Sequence, residues 1–156
     1  ARSIIDHDAG TFFVPDAREG AVQLHVRIAA ADPAADGEAC DRWQAYHLRA
    51  PAPLWVQLRP LGLRHGRTVL DEGEFDLRNP LAVDEPRLCK AANADRPAVV
   101  RALARLGVDE AEPTVVGVDS VGIDVRCRIG IVRIAFAGFV LTADAARFEL
   151  DRLLRS

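Results

Sequence analysis

The sequence predicts an α+β fold in which a small antiparallel, split-barrel-like sheet packs on a C-terminal α-β-β-β-α module. Short runs with alternating apolar residues dominate the first half, which is typical of strands. In the second half, helical apolar spacing brackets three short apolar runs, and this segregation indicates α+β. With 156 residues and 49% apolar content, the chain can bury one good core. We expect one compact unit, with residues 1–78 as the barrel-like half and residues 79–156 as the module.

The first predicted hairpin joins the strands Thr11–Val14 and Val22–Ile28. The second strand alternates between apolar and polar residues, so its apolar side chains face a core. His25 points the other way, together with its neighbours Gln23 and Arg27. This polar side would line a barrel interior or a dimer cleft, or it would meet water.

A helix and two further strands are predicted before the module begins. Apolar and aromatic residues recur at helical spacing over Gly37–Arg49, and Pro51 ends that helix. The run Leu54–Leu58 reads as a strand that breaks at Pro60, because proline cannot donate to a sheet. Leu61–Leu63 would carry on as an edge strand before a turn at Arg64-His65-Gly66. Thr68–Leu70 is a further short strand.

Proline also divides the helical pattern that opens the module. Pro97 has no N–H and would clash with a preceding turn, so it is favoured near a helix start. We therefore predict two helices, Pro86–Ala92 and Pro97–Leu106. Asp95 or Asn93 would cap the second helix through side-chain oxygens.

Three strands and a final helix complete the module. The predicted strands are Val115–Val118, Gly122–Cys127 and Ile131–Phe136. Gly122 suits a turn residue with positive φ between the first two strands. Thr142 is placed to cap the final helix.

Composition excludes several classes of partner. Twenty Lys and Arg stand against 23 Asp and Glu, for a net charge of −3, which is not the basic balance of a nucleic-acid or anionic-membrane binder. No apolar run reaches transmembrane length. Three cysteines without paired spacing fit a reducing compartment. We expect a cytoplasmic protein with no nucleic-acid partner and no membrane partner.

The last two thirds of the chain resemble the HugZ-type haem oxygenases, a family of FMN-binding-type split β-barrel proteins with a C-terminal α+β domain. The order and spacing of several motifs, rather than any one of them, carry the resemblance. These motifs are Leu58-Arg59-Pro60, Glu74-Phe75, Asn79-Pro80-Leu81, the hairpin from Val118 to Asp124, and the strand from Val132 to Phe136.

The resemblance implies a ligand and an assembly state. Split-barrel relatives are commonly homodimers that bind a small planar ligand in the cleft between subunits, so a homodimer is implied here. The apolar run Leu54–Leu58 would contribute to its interface. Haem or FMN is the cofactor that the resemblance suggests.

The family's histidine motif is altered in this chain. Where relatives usually read His-x-Asn-x-Asp-His, this segment reads Ala-Ala-Asn-Ala-Asp-Arg, with Ala91 and Arg96 at the two histidine positions. Neither side chain can ligate iron. Arg96 would contact an anion or lie solvated beside a helix cap. The leading hypothesis is a binding or interaction protein without catalytic residues or a metal site.

A group of cations forms the other candidate ligand site. Flavin phosphates and haem propionates favour arginine, whose planar fork meets two oxygens at once. The alternative is a solvated hairpin tip. The candidate ligand-binding residues are Arg59, Arg64, His65, Arg67, Arg96 and His25.

Two alternative functions stay open. One is a haem- or flavin-binding oxidoreductase in which His65 or His25 acts as the ligand and the arginines hold acidic groups. The other is a regulatory partner of a tetrapyrrole-pathway enzyme, because some relatives of this architecture act by binding an enzyme.

Overall fold

The α+β class is confirmed by a computed structural model. The structure describes residues 8–14, 20–32, 34–35, 37–47, 55–74 and 78–155. Within these ranges the chain forms four helices and two antiparallel sheets. It divides into two compact units, Ala1–Leu77 and Arg78–Ser156. Predictions that fall on Arg49, Leu54 and Phe75 lie outside the described residues.

The first unit contains a four-stranded antiparallel sheet with the order β1-β2-β3-β4. The predicted strands and helix are confirmed, with some change of bounds. The elements are β1 (Ala9–Val14), β2 (Val22–Ala30), α1 (Gly37–His47), β3 (Val56–His65) and β4 (Thr68–Asp71).

The predicted break at Pro60 is wrong, because β3 runs through this residue without interruption. The register of β3 against β2 shifts by one residue between Pro60 and Gly62, which leaves Leu61 as the extra residue of a β-bulge. A bulge is one of the few places where a central strand tolerates proline, because the hydrogen-bond ladder is already disrupted there. The strand therefore continues to His65, beyond the predicted edge strand Leu61–Leu63, and the turn follows at Gly66, whose φ is +59°.

One face of this sheet is apolar across all four strands. Phe12 lies opposite Leu24, Leu24 opposite Leu63, and Leu63 opposite Leu70, so one row of apolar side chains crosses the whole sheet. Val26, in the adjacent row, is fully buried. The alternation predicted for β2 is thereby confirmed.

Helix α1 carries an aromatic contact between two of its own residues. Trp43 and His47 lie one turn apart, and their ring centroids are separated by 4.7 Å. Trp43 also meets Trp55 edge to face at 5.5 Å between centroids, which is a favourable aromatic geometry. The contact ties α1 to the residue just before β3.

The second unit follows the predicted order and contains one apolar core. Pro97 divides the helical pattern as predicted, and Thr142 Oγ1 accepts the N–H of Ala145 at 3.3 Å at the start of the last helix. The elements are α2 (Glu85–Asn93), α3 (Arg96–Ala104), β5 (Thr114–Asp119), β6 (Gly122–Cys127), β7 (Gly130–Ala135) and α4 (Ala143–Arg155). The sheet order is β5-β6-β7, and buried residues from all six elements form the core.

Gly122 was predicted to adopt a positive φ in the turn between β5 and β6, and this prediction is wrong. The glycine with positive φ near these turns is Gly130, at +125°, between β6 and β7. Gly122 is required for space instead, because a Cβ there would overlap the carbonyl oxygen of Ile134 on the neighbouring strand.

Candidate functional site

The polar side of the four-stranded sheet carries three arginines and a histidine, and we call it the cationic face. It carries His25, Arg27, Arg59 and Arg64. Arg27 pairs with Arg59, His25 with Gly62, and Gln23 with Arg64. Residues directly opposite each other in an antiparallel sheet project to the same side.

The bulge at Leu61 creates this arrangement. Side chains alternate between the two sides of a strand, so Arg59 and Arg64, five positions apart, would point to opposite sides of a regular strand. The extra residue restores them to one side. Bulges commonly re-aim side chains in this way.

Gly62 lies between Arg59 and Arg64 along β3, on the side of the sheet that forms the cationic face. It is buried, and His25 lies directly across from it on β2. Because Gly62 has no side chain, no side chain lies on the cationic face between Arg59 and Arg64 along β3. A Cβ at this position would reach the carbonyl oxygen of Leu70 at 3.4 Å, so the chain is also close-packed there.

Each cation of the cationic face has its own local partner, with one exception. Nε and Nη2 of Arg59 donate to one carboxylate oxygen of Glu72 at 3.1 and 2.7 Å. Arg64 donates to the carbonyl oxygen of Gly66 at 3.3 Å. His25 Nδ1 and Thr11 Oγ1 are joined by a hydrogen bond of 2.9 Å. Arg27 is the exception among the described residues.

The remaining predicted ligand residues do not share this face. His65 pairs with Thr68 at the end of the hairpin and follows Leu63 by two positions, so it projects to the apolar side. Arg67 is exposed in the turn. Arg96 belongs to the second unit, where it is the exposed first residue of α3.

The segment that resembles the family's histidine region has a structural role in this chain. Asn93 Nδ2 donates to the carbonyl oxygen of Val115 at 2.9 Å, and Asn93 Oδ1 accepts the N–H of Val115 at 2.8 Å. Asp95 caps α3 by accepting the N–H of Ala98 at 3.1 Å. The prediction that Asp95 or Asn93 would cap this helix is thus confirmed for Asp95, whereas Asn93 binds strand β5.

A second pair of polar side chains binds the same strand. Glu85 is only 8% exposed, and its Oε1 accepts the N–H of Val118 at 3.1 Å. Asn79 donates to the carbonyl oxygen of Val118 at 2.8 Å and to Glu85 Oε2 at 3.3 Å. These bonds satisfy buried polar groups that would otherwise cost stability.

Together these side chains close the outer edge of β5. Among the described residues β5 pairs only with β6, so its other edge would present open backbone groups, which invite unwanted strand pairing. The register of β5 shifts by one residue between Val115 and Gly117. Because of that shift, the backbone groups of Val115 and Val118 both face the edge that Asn93, Asn79 and Glu85 cover.

The exposed face of the β5-β6-β7 sheet carries an ion cluster that the sequence did not reveal. Arg133 bonds to Asp119 and to Asp124, the latter at 2.9 Å. Partial burial alone would raise the pKa of Asp119, but the hydrogen bonds from Arg133 and from the N–H of Val121 outweigh it, so the pKa of Asp119 is lowered. Partial burial alone would lower the pKa of Arg133, but the ion pairs with Asp119 and Asp124 outweigh it, so the pKa of Arg133 is raised.

This ion cluster joins all three strands of the sheet. Its members satisfy one another, which leaves no carboxylate of the pair Asp119 and Asp124 without a cation. The only sequence signal was the cross-strand pairing of Asp124 with Arg133, and a pairing register is known only once the turn is known.

Two further features of the described residues concern metal binding and membrane insertion. Among the described residues, no group of three or more His, Cys, Asp and Glu side chains is placed to hold a metal ion. No helix in the same part of the chain is long and apolar enough to cross a membrane.

Comparison with known proteins identifies a shared fold. No family model matches the chain, and no curated protein matches it. The crystal structure of the protein Atu2129, of unknown function, from Agrobacterium tumefaciens strain C58 aligns with a TM-score of 0.61 and 20% identity, over 94% of this chain and 68% of that one. The structure of a heme binding protein from Mycobacterium smegmatis aligns with a TM-score of 0.43 and 19% identity, over 94% and 71%. The chain therefore has the fold of the Agrobacterium protein, while the second likeness is too distant to carry an argument.

Proposed function

We propose that this chain is a non-catalytic binding or interaction protein built on the scaffold of the haem-oxygenase-like split-barrel proteins. The observation that carries the proposal is the structural use of the segment from Asn79 to Arg96. Its polar side chains bind β5 and cap α3, and no imidazole stands among them. The positions of the family's two histidines hold Ala91 and Arg96, both exposed.

The proposal includes a homodimer formed through the apolar face of the four-stranded sheet. Phe12 and Leu58 are 38% exposed there, and Leu24 and Leu63 are half-buried. Burial of apolar area contributes about 25 cal/mol per Å², so a second copy that covers this row would stabilise the first unit. An isologous contact through one patch is the commonest form of a symmetric dimer.

A second candidate function is a haem- or flavin-binding oxidoreductase, and one observation favours it. His25, Arg59 and Arg64 surround Gly62 on the cationic face. His25 Nδ1 is held by Thr11, which would leave Nε2 as the coordinating atom. Bound haem would supply the redox chemistry, and the two guanidinium groups would hold its propionates.

Titration of the purified protein with haemin and with FMN separates the two candidates. For the binding protein we expect no Soret shift from axial ligation and no FMN complex. A Soret shift that disappears in His25→Ala but persists in His65→Ala would establish the oxidoreductase candidate and contradict the leading one. His65→Ala is the matched control, because His65 projects to the opposite side of the sheet.

A further inference from the structure

Strand β7 forms an open edge of the sheet in the second unit. Among the described residues it pairs only with β6. The N–H of Phe136, the residue after the strand, donates to the carbonyl oxygen of Val121 at 2.9 Å, and the backbone groups of successive residues in an antiparallel strand point in opposite directions. The N–H and carbonyl groups of Ile131, Arg133 and Ala135 therefore point away from β6, toward the open edge.

Strand β7 lacks the features that usually protect such an edge. Natural edge strands are blocked by proline, by charges or by bulges, whereas β7 pairs with β6 in unbroken register and reads Gly-Ile-Val-Arg-Ile-Ala. Its one charged side chain, Arg133, is bound to Asp119 on β5 and to Asp124 on β6, so the guanidinium lies over the sheet rather than beyond the edge. The opposite edge, at β5, is covered by polar side chains from α2 and the segment before it. The chain thus closes one edge of this sheet and leaves the other available for pairing.

An open cavity of about 340 Å³ lies between the end of β7 and helix α4, at the low end of the range of about 300–1,000 Å³ for ligand sites. Val132 on β7 and Leu153 on α4 are half-buried apolar residues that pack against the core, so apolar surface remains uncovered on the core side of the sheet. Glu149 accepts the N–H of Ala137 at 3.1 Å and a hydrogen bond from Arg152 at 2.7 Å. The cavity is lined by Ala135, Phe136, Ala137, Glu149, Arg152 and Leu153.

We propose that β7 and the cavity beside it bind an extended peptide segment of a partner protein, which adds to the sheet as a fourth strand and directs apolar side chains, at alternate positions, toward Phe136 and Leu153. Only an extended polypeptide offers N–H and carbonyl groups at the spacing of the edge, so the open backbone groups themselves specify the class of partner. A second copy of this chain fits less well, because two-fold pairing along β7 would place two Arg133 side chains directly opposite each other. The inference rests on the proposed function, since it names the class of partner that such a binding protein would take.

Fluorescence anisotropy of a dye-labelled peptide of alternating leucine and threonine, with a lysine at each end, tests the proposal on the full chain. Only alternate backbone nitrogens of an added strand face β7. N-methylation of one residue type should therefore weaken binding by about tenfold or more, whereas N-methylation of the other type should change it by less than about twofold. Absence of binding by the unmethylated peptide, or an equal loss in both methylated forms, would overturn the proposal.

A substitution at Ala135 locates the binding site on β7. Ala135→Pro removes an N–H that points outward and leaves the ladder to β6 intact, as proline does in natural edge strands, and we expect it to weaken peptide binding by about tenfold or more. Ala135→Ser, the matched control at the same exposed position, keeps the N–H and should bind as the unaltered chain does. Circular dichroism verifies that both variants fold.

Two results with these variants contradict the proposal. Equal peptide binding by Ala135→Pro and Ala135→Ser would place the peptide elsewhere. A smaller assembly mass for Ala135→Pro in light scattering would show that a second copy of the chain occupies the edge. Because neither haemin nor FMN is used, these outcomes are distinguishable from a failure of the proposed function in its own titrations.

Discussion

Individual polar residues give the segment from Asn79 to Arg96 its structural role in this chain. Asn93 and Glu85 each replace a strand partner by bonding to backbone groups of β5. The sequence indicated that Asn93 or Asp95 would serve as a cap, and the cap at Asp95 is confirmed. The sequence did not indicate the hydrogen bonds to β5, because each of these bonds joins two residues that are far apart in the chain.

Asn93→Ala tests this role. The change removes both bonds to Val115 and leaves an N–H and a carbonyl of a partly buried edge without partners. We expect the free energy of unfolding to fall by about 1–3 kcal/mol, measured by urea denaturation followed by far-UV circular dichroism. Lys90→Ala, at an exposed position of the same helix, should change it by less than about 0.5 kcal/mol. Equal effects of the two changes would contradict the role of Asn93.

The ion cluster at Arg133 predicts how stability depends on pH. Folding lowers the pKa of Asp119 below its ordinary value of 3.8, so the native state favours the ionised form. This stabilisation is complete above that value and is lost as the pH falls through the lowered pKa.

Asp119→Asn should therefore flatten the acid limb of the stability curve. We expect the difference in unfolding free energy between the unaltered chain and the variant to shrink as the pH falls below about 4, measured by urea denaturation at a series of pH values. Asp109→Asn, at an exposed carboxylate, controls for net charge. A constant difference at every pH would show that Arg133 does not stabilise ionised Asp119.

At the scale of elements, the periodicity of apolar residues predicted which helices and strands exist. It did not predict the irregularities within them. Pro97 divided two helices as predicted because proline acts through local sterics. The bulge at Leu61 was not predicted, because Pro60 was interpreted as the end of a strand, although a proline followed closely by a glycine within a strand pattern is also typical of a bulge. Its consequence is large: regular alternation would place Arg59 with His65, whereas the bulge places it with Arg64 and His25.

The close contact at the start of β6 gives a test at this scale. Gly122→Ala introduces a Cβ that overlaps the carbonyl oxygen of Ile134, so β6 and β7 must move apart. We expect a loss of about 1–3 kcal/mol, typical of overpacking, in thermal or urea unfolding. Gly138→Ala is the matched control, because no atom lies within 4 Å of the added Cβ and its φ is not positive. A loss as large at Gly138 would refute the steric account.

The two compact units differ in how much core each contains. Buried hydrophobic residues of the second unit form one cluster drawn from helices and strands. In the described part of the first unit, the buried hydrophobic residues are Ala21, Val26 and Cys40. A further contact that buries the apolar face would add to the small core that these described residues form, which is the physical reason for the proposed dimer.

The apolar face predicts a dimer that one substitution breaks. We expect light scattering at micromolar concentration to give twice the chain mass of 17.0 kDa. Phe12→Asp places a charge in the apolar row and should yield the monomer. Phe13→Asp alters a neighbour of similar exposure, 42% against 38%, on the cationic face and should leave the dimer intact. A monomer mass for the unaltered chain would contradict the dimer.

At the scale of the molecule, the order of the helices and strands was predictable from the sequence. The composition of the cationic face was predictable only in part. Arg59 and Arg64 were predicted as members of one cationic group, and His25 as a separate candidate; the structure places all three on one face of the sheet. Arg27 was identified only as a neighbour of His25. Its pairing with Arg59 depends on the register between strands that are separated by α1, which local sequence does not determine.

The central claim is that this scaffold binds without catalysing haem chemistry, and a turnover assay tests it most directly. Haemin is incubated with the protein, ascorbate and oxygen while the Soret band is followed. We predict that the band decays no faster than in the protein-free control. A faster, protein-dependent decay that is abolished in His25→Ala and retained in His65→Ala would contradict the claim.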